Sequence, residues 1–167
     1  MEHRLTQLLD AHGRGLHALM LRMTLDREAA ADLFQDLFAR LAGSTGFANA
    51  EDRPAFAYRA AINLAHDWRR RRRRTPPMTS LPEQLIAPNG PPVVLPDELA
   101  RALDAIGQLG QPARDAICLR YLKQMSYAEV GRTIGRSAHQ ARALCHAGIG
   151  RIRRLLADER RVHRVTP

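Results

Sequence analysis

Residues 126–147, SYAEVGRTIGRSAHQARALCHA, start two helices eleven residues apart, which leaves room only for a helix pair joined by a tight turn. Ser126 stands three residues before Glu129, and Ser137 three before Gln140. Each pair is a capping box: the serine oxygen accepts an orphan amide proton of the first turn, and the Glu or Gln side chain returns to the amide of the cap residue. Gly135 supplies the freedom that a left-handed turn residue needs, and Gly131 lets the first helix approach the second closely. Val130, Ile134, Ala141 and Leu144 remain to pack between the two helices. A turn of about three to four residues suits a DNA-binding helix-turn-helix, although an ordinary helical hairpin would share these signals.

The rest of the chain agrees with a helical protein. Aromatic residues make up 5% of the 167, and runs of β-branched residues are nearly absent, so the fold class expected is all-α. The net charge of +9 and a pI near 11 imply attraction to a polyanion, either nucleic acid or an anionic membrane surface. Of 26 basic residues only Lys123 is a lysine. Arginine forks phosphates and guanine edges bidentately, which favours nucleic acid, although a GC-rich coding sequence would produce the same bias. Residues 1–75 carry a net +4 and residues 101–167 a net +8, while residues 76–100 hold three acids and no base. Two basic blocks thus flank an acidic connector.

No stretch approaches the ~20 apolar residues of a membrane span and the N-terminus has no signal-peptide core, so a cytoplasmic protein without membrane insertion is expected. Cys118 and Cys145 fall inside apolar-periodic helices, with no spacing that would hold zinc, and read as reduced core residues. The seven histidines are scattered, and no nucleophile–base pair or phosphate-binding glycine loop argues for catalysis. No enzyme, metal or cofactor is expected.

Taken in order, residues 4–24 place Leu5, Leu8, Leu9, Leu16, Leu19, Met20 and Met23 at three- and four-residue steps, one amphipathic helix. Asp26 caps a second, whose apolar positions are Ala30, Leu33, Phe34, Leu37, Phe38 and Leu41 and which Gly43 ends. Its opposite face offers Asp32, Gln35, Asp36 and Arg40, an acidic patch on a basic protein that could equally be a solvated face. Residues 43–52 read as a loop, with Phe47 either tucked onto the core or presented as a contact. Asp52 and Pro54 start a third helix. It sets Phe56, Ala60, Leu64 and Trp68 along one line and Arg59, Asn63, Asp67 and Arg70 along the next. Six consecutive arginines, residues 69–74, close it and repel one another unless a polyanion lies across them.

Residues 75–96 contain seven prolines and no basic residue, and read as an extended linker. The expected organisation is two small helical domains joined by it: 1–75, linker 76–96, a helix-turn-helix domain 97–160 and a tail 161–167. The second domain opens with a helix presenting Leu99, Leu103, Ile106 and Leu109, followed by one that Pro112 starts.

The segments AADLFQDLFARL (residues 30–41), AYRAAINLAHDWRRRRRR (57–74) and SYAEVGRTIGRS (126–137), in this order around a proline-broken linker, resemble the extracytoplasmic-function (ECF) sigma factors of bacterial RNA polymerase. The string NLAHDWRR looks most like their iron-starvation subgroup. The resemblance implies a non-catalytic specificity subunit whose partners are core RNA polymerase, promoter DNA and an anti-sigma factor. Asp32, Gln35, Asp36 and Arg40 would then dock on the β′ clamp helices, and the second domain on the β flap. Phe47 and Asn49 in the loop, with Tyr58, Arg59 and Asn63, would receive an extruded base of the −10 element, at an unstacking cost of a few kcal/mol that pocket contacts repay. Arg69, Arg70 and Arg71 would hold adjacent phosphates, and the linker would thread the RNA exit path.

In the second domain the resemblance puts Arg136, Ser137, Ala138, His139, Gln140, Arg142, Ala143 and His146 at the −35 element, with Gln140 and Arg142 able to fork base edges and Arg136 and His146 on phosphates. Phe56 and Ala57 depart from the family's usual Trp-Leu, and Leu144, Ala147 and Ile149 replace residues commonly basic there. Gly148 and Gly150 each weaken a helix by roughly 1 kcal/mol. The alternative is an autonomous helix-turn-helix transcriptional regulator, which would bind DNA without polymerase; an adaptor that mimics a sigma factor and titrates an anti-sigma protein is a third reading, opposed by the intact basic residues at both DNA sites.

Overall fold

A computed structural model describes residues 2–74 and 96–165, and all regular structure among them is helical. Most of the proline-rich segment, and with it the reading of an extended linker, lies outside the described residues. The first helical set comprises α1 (Glu2–Thr24), α2 (Arg27–Ala42), the single turn α3 (Thr45–Ala48) and α4 (Arg53–Arg74). The second comprises α5 (Pro96–Gly107), α6 (Gln111–Ile117) with a π-helical continuation over Cys118–Leu122, α7 (Tyr127–Ile134) and α8 (Ala138–Val165). Residues 161–165, expected as a tail, continue α8 because no glycine or proline interrupts it there.

Helix α1 buries Leu8, Leu16, Leu19, Met20 and Met23. Leu9, placed in the same stripe by its spacing, is 45% exposed. Neighbouring positions diverge by about 100° around a helix, and here Leu8 takes the inward side while Leu9 falls outside it, unlike Leu19 and Met20, which are both enclosed. At its end the Thr24 hydroxyl donates to the Met20 carbonyl, Leu25 reverses the chain at φ 57°, and Asp26 accepts from the Ala29 amide at 3.0 Å to cap α2.

The segment read as a loop contains α3, nucleated by Ser44, whose hydroxyl accepts from the Phe47 amide at 3.1 Å. Phe47 is fully buried and packs on Phe56 with ring centroids 6.1 Å apart, so the aromatic belongs to the core. Asp52 accepts from the Ala55 amide at 2.8 Å and starts α4 as expected.

Helix α4 buries more of its circumference than the sequence suggested. Of the apolar line Phe56, Ala60, Leu64 and Trp68, only Leu64 is fully buried, while Ala57, Tyr58, Ala61, Ile62, Ala65 and His66 are. The reason is tertiary: α1 and α2 cover one side of α4, and α5 to α7 cover another. One contiguous apolar core consequently runs through both helical sets.

The helix-turn-helix forms as its capping pattern requires. Ser126 and Glu129 close a complete box, and Gly135 takes φ 68° at the end of α7. A Cβ on Gly131 would stand 2.7 Å from the Arg136 carbonyl oxygen, so the turn can pass only where that side chain is absent. Val130 and Ala141 are wholly buried between the helices, and Cys118 and Cys145 are buried thiols. Gly148 is a contact rather than a defect, since a Cβ there would meet Ile117 at 2.6 Å where α8 crosses α6. Gly150 faces open space. Gly131→Ala is therefore expected to lower stability by about 1–3 kcal/mol through overpacking. Gly150→Ala should raise it by up to about 1 kcal/mol through helix propensity. Urea midpoints of the two variants check the opposite signs.

Candidate nucleic-acid interface

The start of α8 is laid open to solvent. Arg136, Ser137, Ala138, His139, Gln140, Arg142, Ala143 and His146 are all exposed, so the eight residues expected to reach DNA share one accessible surface. Two of them are already engaged with each other. The Ser137 hydroxyl accepts from the Gln140 amide at 3.1 Å, and the Gln140 side-chain oxygen accepts from the Ser137 amide at 3.0 Å. The cap takes one of the two lone pairs of the Gln140 oxygen, so a forked contact to an adenine edge must use the second together with the side-chain amide nitrogen.

The stripe on α4 is placed differently. Asn49 and the guanidiniums of Arg70 and Arg71 are exposed. Tyr58 is buried at 4% exposure, with the Lys123 ammonium 5.4 Å from its ring centroid. The Asn63 side-chain oxygen accepts from Arg114 at 2.6 Å. Arg69 is held on three sides. It donates to the Met23 carbonyl at 3.1 Å and to the Ala100 carbonyl at 2.9 Å, and it forks the Asp104 carboxylate at 2.7 and 3.1 Å. Arg59 lies close enough to Asp115 to favour that carboxylate's charged form. Of the eight residues expected to meet the −10 element, Phe47 is enclosed in the core, Tyr58 is buried among His12 and Gly15 of α1 and Lys123, and Asn63 and Arg69 are covered by the second helical set.

The acidic patch on α2 is accessible. Asp32, Gln35 and Arg40 are exposed and Asp36 partly so, with Arg40 paired to Asp36 at 2.9 Å. Asp32 and Asp36 line a shallow groove whose other wall is Trp68, Arg71 and Arg72 of α4. Arg72 stacks over Trp68 with its guanidinium 5.0 Å from the ring centroid and bridges to Asp26 at 3.0 Å. An acidic ledge against a basic wall can receive a partner surface carrying both charges.

Sequence reasoning missed Asp104, Arg114, Lys123 and His66, the groups that meet α4 from across the junction or lie within it. No local pattern marks them, because Arg69 and Asp104 are 35 residues apart. His66 is buried, and burial, with the Arg114 and Arg69 guanidiniums nearby, lowers its pKa from 6.5 to about 3. Its Nε2 lies 3.8 Å from the Cys118 sulfur, and burial pushes that thiol up to about 12. Neither group is poised for chemistry. Among the described residues no cluster of three or more His, Cys, Asp or Glu could hold a metal ion.

The His66 shift has a pH consequence. Its folded pKa lies below the unfolded value, so its contribution to stability is complete above 6.5 and is lost as pH falls from 6.5 towards about 3. Asp115, raised by burial, acts in the opposite sense: its contribution is present at acid pH and fades as pH rises through its elevated pKa. Thermal melts across the acid range should show His66→Gln losing less stability between pH 6.5 and about 3 than the parent. Parallel curves would show that His66 does not carry this dependence.

Comparison with known proteins bears on the fold. Residues 8–75, which span α1 to α4, match sigma-70 region 2. Among solved structures the chain is similar to CnrH in complex with the cytosolic domain of CnrY, at 21% identity and a TM-score of 0.54, over 95% of this chain and 90% of that one. It is also similar to the sigma factor RpoE in complex with the anti-sigma factor NepR from Bartonella quintana, at 19% identity and a TM-score of 0.53, over 94% of this chain and 98% of that one. No curated protein sequence matches, and neither structural relative confirms the iron-starvation subgroup. Residues 8–75 are thus similar to sigma-70 region 2, and the chain as a whole shares its fold with CnrH and the sigma factor RpoE.

Proposed function

We propose that the protein is an RNA polymerase sigma factor of the ECF type, a specificity subunit rather than an enzyme, which binds core polymerase and directs initiation at a small set of promoters. The observation that carries this reading is the match of α1 to α4 to sigma-70 region 2, joined in one chain to an exposed, fully capped helix-turn-helix. In this reading residues 1–75 serve core polymerase and the −10 element, and residues 97–160 the −35 element. The accessible ledge of Asp32, Gln35, Asp36 and Arg40 docks on the β′ clamp helices. Asn49, Tyr58, Arg59, Asn63, Arg69, Arg70 and Arg71 meet the −10 strand, and the open face of α8 from Arg136 to His146 enters the upstream major groove.

Work of this kind places the protein in the cytoplasm, and no described helix is long and apolar enough to cross a membrane. An anti-sigma factor is a fitting partner, since RpoE was captured with NepR. An autonomous regulator would be distinguished by binding promoter DNA specifically as a dimer and gaining nothing from polymerase.

Run-off transcription with core polymerase on a genomic library tests the assignment directly: promoter-dependent transcripts are expected, and their absence with an enzyme competent for another sigma factor would overturn it. Asp36→Arg should weaken core binding by at least about tenfold, because it reverses the charge at the centre of the acidic ledge, while leaving the thermal melt near the parent's. The two roles of Gln140 separate by substitution. Gln140→Glu keeps the acceptor that caps α8 and loses the donor, so it should relax selectivity at one upstream base by about 1–3 kcal/mol without a loss of stability. Equal effects of Gln140→Glu on every template would remove Gln140 from base reading.

A further inference from the structure

The arginines that close α4 are divided by the helix between two surfaces. Arg71 and Arg72 turn toward α2, where they wall the groove beside Trp68. Arg70, Arg73 and Arg74, three and four positions apart, share the opposite side and face α5. There they line a cleft of about 410 Å³ whose far wall is formed by Leu103, Asp104, Gly107 and Gln108 of α5. The largely covered Arg69 and Arg114 also border it. Five guanidiniums thus face two carboxylates, Asp67 and Asp104, a surplus of three positive charges. His66 on the same wall is kept neutral by its burial and offsets none of it.

Both carboxylates are already committed. Asp67 pairs with Arg70 at 3.1 Å, and Asp104 with Arg69 at 2.7 Å. Arg73 stands 3.8 Å from Asp104, beyond hydrogen-bond reach, and its side chain is 55% exposed. Arg74 is exposed and, among the described residues, pairs with no carboxylate. Neither Arg73 nor Arg74 is among the residues assigned above to the −10 element. A surplus of this kind repels itself, and an anion that several guanidiniums fork at once relieves it.

We propose that this cleft binds a short polyphosphate, either a free inorganic chain or the tail of a nucleotide, held by Arg70, Arg73 and Arg74 with Gln108 as a neutral donor from α5. The inference goes beyond the sigma-factor reading and stands without it, because it uses only the groups that border one cleft. A lone phosphate satisfies one forked guanidinium, whereas a chain of two or three presents oxygens to several together. The volume falls within the range of small-molecule sites, roughly 300–1,000 Å³, so duplex DNA can lie on the rim but not within. Leu103 and Gly107 leave part of the α5 wall apolar, which strengthens the attraction between a bound anion and the guanidiniums. A ligand touching α4 and α5 at once also stabilises the folded chain by mass action.

Calorimetric titration of the full chain with sodium tripolyphosphate in magnesium-free buffer tests the site, with orthophosphate and ATP as comparison ligands. One tripolyphosphate should bind per chain, at least about tenfold more tightly than orthophosphate, and raise the melting temperature. Arg74→Gln should weaken binding at least about fivefold through loss of a charge-assisted contact. Arg72→Gln removes the same charge from the same run but on the α2 side, and should change the affinity by less than about twofold. On the α5 wall Gln108→Glu should weaken binding and Gln108→Arg tighten it, each at least about threefold, and a gain of affinity cannot come from misfolding. ATP binding on a par with tripolyphosphate would make nucleotide tails a source of the ligand, and exclusion of ATP would make it a free chain; both outcomes support the site. Equal losses in Arg72→Gln and Arg74→Gln would mark a diffuse charge run and overturn the proposal. So would indifference to both Gln108 substitutions, or tripolyphosphate binding no tighter than orthophosphate.

Discussion

Arg69 is where the two helical sets are tied together, and its burial dictates much of what surrounds it. A guanidinium taken out of water needs its donors satisfied, since an unpaired buried charge costs several kcal/mol. The fold supplies a carbonyl from the end of α1, a carbonyl from α5 and the Asp104 carboxylate. These partners come from two helices, α1 and α5, so the side chain fixes their relation to α4 as well as its own position. The neighbouring His66 follows from the same closure. Enclosed between Arg69, Arg114 and the Cys118 thiol, it is kept neutral down to about pH 3. Arg69 thus serves the compact protein as a structural residue and, in the promoter complex proposed here, as a phosphate ligand.

The two elements proposed to meet DNA are held in opposite states. On α8 the reading face is exposed and rigidified by its own capping box, a local device that needs nothing from the rest of the molecule. On α4 the reading face is satisfied by protein groups from another part of the chain. Order on α8 is thus local, whereas cover on α4 is non-local. The acidic ledge on α2 is accessible in the same form, so closure leaves the surface assigned to polymerase free.

Much of this architecture was legible in the sequence because it rests on short-range physics. The caps at Asp26, Asp52, Ser126 and Ser137 form as their residue types require, and Gly131 and Gly135 do what the turn between α7 and α8 demands. The short helix at Ser44 was also encoded locally, but one serine cap over four residues is too weak a periodic signal to distinguish from a loop. Phe47 was ambiguous for a related reason: its neighbours in sequence are small and polar, and only the approach of Phe56 decides that it is core. The two glycines of α8 looked alike in sequence and proved different, one filled by Ile117 and the other open to solvent.

What the sequence by itself determined was the helical class, the positions of most helix ends, the helix-turn-helix and the chemistry of the candidate sites, because caps, turns and amphipathic periods act within a few residues. Only the tertiary structure decided which face of α4 is available. That outcome depends on Asp104 and Arg114 reaching Arg69 and Asn63 across 35 and 51 residues. A contact of such separation leaves no local pattern, since its energy appears only when two helices that are remote in sequence have already packed.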